Sequence, residues 1–171
     1  LKLLGLTGVT PANLADIQKA IERTPDDGSG VDSVGELQNL VNGINGGLDA
    51  ISAAAQSDTA TQTRPSANDY ASAGVTGVSG GDSGNLAAIN SALNTRNVDG
   101  AKVDTRAEIQ DLVNAYQAIL NAADGSRGNG VKPAPGQYGL IGVTGIDANT
   151  PLTTLSLLGD VIDGKTRADV D

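Results

Sequence analysis

The chain of 171 residues carries 20 acidic and 11 basic side chains, a net charge of −9, and no His, Cys, Met, Trp or Phe. Without His or Cys there is no His-based triad, thiol nucleophile or ordinary zinc site, and so acidic a surface repels nucleic-acid phosphates and anionic membranes. No apolar run approaches the ~20 residues of a membrane-spanning helix, and a 39% apolar, 2% aromatic composition suits small helical bundles better than a large pocketed domain.

One pentapeptide organises everything else. Gly5-Leu6-Thr7-Gly8-Val9 recurs as Gly74-Val75-Thr76-Gly77-Val78 and as Gly142-Val143-Thr144-Gly145-Ile146, at spacings of 69 and 68 residues. A near-constant period with the same flanking signals marks a tandem array. The expected fold is all-α: small three-helix bundle modules at residues 1–57, 66–123 and 134–171, joined by Pro/Gly-rich linkers.

The first module opens on the apolar piece Leu1 to Leu4, closed by Gly5. Thr10-Pro11 supplies a cap and a first-turn proline, and Leu14, Ile17 and Ile21 form one helical stripe. After the Thr24 to Gly30 break, Ser33 and Glu36 form a capping box ahead of a long helix bearing Leu37, Leu40, Val41, Ile44, Leu48 and Ile51. Gly43, Gly46 and Gly47 weaken that helix by up to ~1 kcal/mol each and make a bend plausible there. Gln56 to Arg64 reads as a linker.

The second module repeats the plan. Ser66 caps a short helix closed by Gly74, and Ser83 is the expected cap of a helix carrying Leu86, Ile89 and Leu93. Asn94 to Asp104 reads as a loop. Thr105 and Glu108 make a second capping box, followed by the stripe Ile109, Leu112, Val113, Tyr116, Ile119 and Leu120. A second linker spans Asp124 to Gln137. The third module runs from Tyr138 through a helix on Leu155, Leu158 and Ile162 to a third capping signal at Thr166 to Asp169. Its long helix is cut, so its apolar face is expected to close against the second module's long helix or a helix from another chain. Leu155, Leu158 and Ile162 are the candidate interaction residues. With no initiator Met, the chain reads as a fragment or processed product.

Two motifs resemble chemistry. Gly159 to Thr166 matches the phosphate-loop pattern G-x-x-x-x-G-K-[ST] letter for letter, yet Gly159 lies in a helical stripe and Asp160 and Asp163 place negative charge where phosphate would sit. The expectation is a helix end and a cap. Asp26, Asp27 and Asp32 in one loop, and Asn97, Asp99 and Asp104 in another, raise calcium. No loop holds a complete calcium-ligand set, since Arg106 stands where an EF-hand needs its bidentate Glu. Turn chemistry is the preferred account, so no cofactor is expected, with an irregular Ca²⁺ site as the alternative. The Tyr residues Tyr70, Tyr116 and Tyr138 read as core plugs, and the chain as a non-enzyme.

Gly74 to Val78, Asn85-Leu-Ala-Ala-Ile-Asn90, Ala107-Glu-Ile-Gln-Asp-Leu-Val113, and Asp26 to Asp32 with Glu36-Leu-Gln38 carry a resemblance across essentially the whole chain. It resembles the GA-like helical modules found in tandem in very long Gram-negative surface and biofilm adhesins. The resemblance implies a secreted or cell-surface array of three-helix bundles, acting as spacer or protein-interaction segment. Its partners would be proteins or neighbouring copies of itself. A filament or matrix subunit and a calcium-dependent binding module are the alternatives.

Overall fold

Helices begin where short polar side chains can satisfy their free N–H groups. In the computed structural model, which describes residues 4–55, 63–81, 83–126 and 132–170, Ser33 Oγ accepts from Glu36 N–H at 3.2 Å while Glu36 accepts from Ser33 N–H at 3.1 Å. This opens α2 (Val34–Ala55). Thr105 and Glu108 do the same for α5 (Arg106–Ala122), and Ser66 and Asp69 for the short α3 (Ala67–Ser72). Between them lie α1 (Leu14–Glu22) and α4 (Leu86–Leu93), and after them α6 (Pro135–Leu140), α7 (Leu152–Asp163) and α8 (Arg167–Val170). The protein is all-α, with no strand among the described residues.

Several starts differ from expectation. Helix α1 begins at Leu14, but Thr10 still caps: its N–H donates to Asn13 Oδ1 at 2.8 Å and its Oγ1 accepts from Asn13 N–H at 3.3 Å. Ser83 does not cap α4. Asn85 occupies that position, because a helix start here must also be tied to the preceding corner. Helix α6 begins at Pro135, inside the expected second linker, since proline with its missing N–H suits a first helical turn. Asn94 to Asp104 is more than a loop: Val98 and Val103 are buried, and Gly100–Lys102 forms a 3-10 turn. Most of the expected Gln56 to Arg64 linker, and Leu1 to Leu3, lie outside the described residues.

Packing runs across the expected module boundary. Ile17, Val41 and Ile44 share one core with Tyr70, Ile89 and Val113, and fully burying each such side chain is worth about 1.5–3 kcal/mol. The long α2 packs more extensively on α3, the next unit's first helix, than on its own α1. A second, smaller core joins Ile119, Ala122 and Ala123 at the end of α5 to Tyr138 of α6 and Ile162 of α7. Polar contacts stitch the same junctions. Arg106 Nε meets Asp16 Oδ1 at 2.9 Å, both largely buried, and Ser52 Oγ donates to Gly100 O at 3.0 Å.

The three tyrosines are buried, as core plugs should be. Tyr70 hydroxyl donates to Asn90 Oδ1 at 2.8 Å, and Asn90 Nδ2 donates to Pro65 O at 2.8 Å. A buried hydroxyl and amide thus satisfy each other.

Helix α2 stays helical for 22 residues through its glycines. One of them has a packing role: a Cβ on Gly47 would stand 2.9 Å from Ala73 N and closer still to Asp69 O, whereas one on Gly43 meets nothing within 4 Å. Gly47→Ala should therefore cost about 1–3 kcal/mol by overpacking, while Gly43→Ala should stabilise by up to ~1 kcal/mol. Urea denaturation of the two variants beside the parent measures both.

Burial pushes the Tyr70 phenol well above its ordinary value, with the Asp69 charge adding to the effect. The unfolded chain ionises near pH 10 while the folded state resists. This contribution to stability is therefore intact below about pH 10 and is lost as pH rises from there through the raised folded value. Urea midpoints from pH 8 to about 11.5 should fall more steeply for the parent than for Tyr70→Phe. That variant should also lose about 1–3 kcal/mol at neutral pH, because Asn90 Oδ1 loses its donor.

Candidate interaction surface

The repeated pentapeptide is a helix stop followed by a clamped corner. Gly74 sits just past α3 at φ +77°, a left-handed conformation that glycine adopts without a Cβ penalty. Its N–H donates to Ala71 O at 3.0 Å and Val75 N–H donates to Tyr70 O at 2.9 Å, closing the last turn. Gly142 and Val143 close α6 onto Gly139 O and Tyr138 O at the same distances.

The threonine that follows is held by a glutamine from the long helix. Thr76 N–H donates to Gln110 Oε1 at 2.9 Å, and Gln110 Nε2 donates back to Thr76 O at 3.1 Å. Thr7 and Gln38 form the same two bonds at 2.9 and 3.1 Å. One primary amide thereby satisfies both backbone groups of a loop residue, as a neighbouring strand would. Asn42 and Asn114, one turn further on, accept from these glutamines and orient them. Asn13 Nδ2 and Asn85 Nδ2 complete the arrangement by donating to Gly8 O and Gly77 O at 2.8 and 2.7 Å.

The third corner differs. Asn97 Nδ2 reaches Gly142 O at 3.1 Å, docking it on the preceding unit. Among the described residues, no side chain clamps Thr144 in the way Gln38 and Gln110 clamp theirs.

The candidate metal ligands are dispersed. Asp26, Asp27 and Asp32 lie between α1 and α2, and Asn97, Asp99 and Asp104 between α4 and α5. Ser29 N–H donates to Asp27 Oδ1 at 2.9 Å, and this bond holds the Asp27 carboxyl below its ordinary range. Asp99 pairs with Lys102 at 3.3 Å, and Asn97 serves the third corner. Hydrogen bonding and charge from Glu36 push Asp32 up; desolvation, then Glu108, pushes Asp104 up. Among the described residues no group of three or more acidic side chains converges as a metal site would require.

The phosphate-loop look-alike is a helix end. Gly159 to Asp163 complete α7, with Gly159 packed against the Lys132 side chain, which pairs with Asp160. Thr166 Oγ1 donates to Asp169 Oδ2 at 2.7 Å at the start of α8. In the third unit Ile162 is buried with Ile119 and Ala122 of α5, Leu155 and Leu158 are half-buried, and Leu152 is exposed. No helix among the described residues is long and apolar enough to cross a membrane.

Sequence reasoning did not assign Gln38 and Gln110 a role. The available signal was their common place, two residues beyond the capping Glu, in both long helices. No family model matches the chain, and neither a curated protein nor a solved structure matches it.

Gln110→Ala removes three hydrogen bonds from Thr76, two to its backbone and one from its hydroxyl, and should cost about 1–3 kcal/mol. Hydrogen exchange at the Thr76 amide, which loses its own acceptor, should accelerate more than at the neighbouring Val75 amide, whose bond to Tyr70 O the substitution leaves in place. Exchange read by NMR on parent and variant checks both.

Proposed function

We propose that this chain is a non-enzymatic segment of a tandem helical repeat array in a bacterial cell-surface adhesin, serving as spacer or protein-interaction stretch. The observation that carries the reading is the repeated junction. The first two corners are clamped by glutamines at matching positions, and the long helix of the first unit is packed into the second. Units joined this way set a fixed rise from one repeat to the next, which a spacer requires and a string of free beads lacks. The acidic surface keeps such an array from collapsing onto itself or onto anionic surfaces.

A filament or matrix subunit is the second reading. It is favoured by one feature, the exposed apolar side chains Leu157 and Val161 on α7. Light scattering with and without Ca²⁺ separates the possibilities. The spacer reading predicts a monomer under both conditions, and the filament reading predicts assembly that grows with concentration. A calcium-dependent module would instead stabilise by about 2.7 kcal/mol at a hundred times its dissociation constant. That gain would raise the melting temperature by several degrees and be reversed by chelator. The expected result is a monomer whose melting temperature does not move with millimolar Ca²⁺.

A further inference from the structure

One connection in the chain touches three units. Residues 94–104, with the capping Thr105, join α4 to α5, and a turn between two helices does not need that length: between α7 and α8 only Gly164, Lys165 and the capping Thr166 intervene. The added residues are anchored inward by Val98 and Val103, buried in the same core as Ile51 and Ala55 of α2. Between those two anchors the 3-10 turn Gly100–Lys102 sits on α2, where Ser52 Oγ donates to Gly100 O at 3.0 Å. From the same segment Asn97 Nδ2 donates to Gly142 O at 3.1 Å, and Lys102 Nζ ties back to Asn97 O at 2.8 Å. Thr95 lies so close to Gly142 that a Cβ there would overlap its Oγ1. Among the described residues, α1 and α2 make no extensive contact of their own with α6, α7 or α8.

We infer that residues 94–104 form a strap through which α2 of the first unit holds the corner of the third unit in place. In stacked repeats each unit ordinarily senses only its immediate neighbours. Here the strap carries position across the second unit. Two buried valines and a bonded 3-10 turn hold the segment in one conformation while α2 lies under it, and that conformation sets where Asn97 and Thr95 meet Gly142. Ser52 therefore acts on the second joint by way of Gly100, rather than by any extensive contact of α2 with the third unit. The connection after α1 shows part of the same design, since Arg23 reaches the following corner at Gly74 O, 3.3 Å away. The connection after α7 reaches back instead: Lys165 O accepts from Gly125 N–H at 2.9 Å.

The absence of Cys makes the test direct. Nitroxide labels on Asp111→Cys and Thr154→Cys, both exposed positions, report the distance between α5 and α7 by double electron–electron resonance. The otherwise unchanged chain should give a narrow distribution. Ser52→Asp replaces the donor to Gly100 O with a repelling carboxylate and should widen the distribution roughly twofold or more, with Ser52→Ala widening it less. Asn97→Ala should widen it as much as Ser52→Asp, and combining the two should add little, because both cut one route. Gln38→Ala breaks the clamp of the first corner, leaves the seat of the strap alone, and should not move the distribution. Circular dichroism checks that each variant keeps its helix content, and Ser52→Ala carries the test if Ser52→Asp does not. A distribution unmoved by the Ser52 variants would overturn the strap. So would equal widening by Gln38→Ala, the mark of general loosening, or widening by Ser52→Asp with none by Asn97→Ala, the mark of another route.

Discussion

Helix α2 belongs to two units at once, and the rest of the structure depends on that sharing. It closes over α1 on one side and carries the next unit's α3 and 3-10 turn on the other. Gly47 removes the side chain that would keep α3 away. A unit of about 60 residues buries too little apolar surface to be robust by itself. With a core of aliphatic side chains and few rings, lending one helix to two neighbours is an effective remedy. Helix α5 repeats the arrangement towards α6 and α7, though with Ile119, Ala122 and Tyr138 in contact and no close glycine.

The corners make the stacking directional. The second and third begin as the stop of a short helix, with glycine in a left-handed turn, and their first glycine is also touched by the preceding unit. Arg23 donates to Gly74 O at 3.3 Å, and Asn97 to Gly142 O at 3.1 Å. The first two corners are then gripped from the other side by their own long helix. At Gly74 to Val78 helix stop, neighbour contact and clamp occupy five residues, and each further copy keeps a part of that set. The pentapeptide's glycines supply backbone conformations and close approach, and its threonine supplies a backbone on which the glutamine acts.

Much of this was legible in the chain because its signals are local. Capping pairs such as Ser33 with Glu36 act over three residues, and the stripe Ile109, Leu112, Val113 and Tyr116 follows helical spacing, so both were read correctly. So were the buried tyrosines, which fall at one repeat position or on a stripe. What was missed is long-range. Gln38 looks like solvent-facing helix until Thr7, 31 residues earlier, is seen against it. Gly47 looks like a weakness until Ala73 is found across from it. Val98 and Val103 sit in a stretch whose Asn, Gly and Asp content reads as loop, and only the tertiary fold reveals that their side chains turn inward. The Asp-rich turns were read through the same local chemistry, and Asp27 does accept from the backbone two residues on.

The central claim is that neighbouring units stand as one cooperative stack. Its sharpest test uses an accident of composition: all three tyrosines lie after residue 69, and none lies in the first unit. Ile44→Asp places a charge in the part of the core contributed by α2, where Ile44 is fully buried. Tyrosine fluorescence and near-ultraviolet circular dichroism of that variant then report on the second and third units alone. A shared core predicts that both tyrosine signals become unfolded-like, or melt at much lower urea, together with the far-ultraviolet helix signal. A native tyrosine signal with an unchanged urea midpoint, beside a lost first unit, would contradict the account.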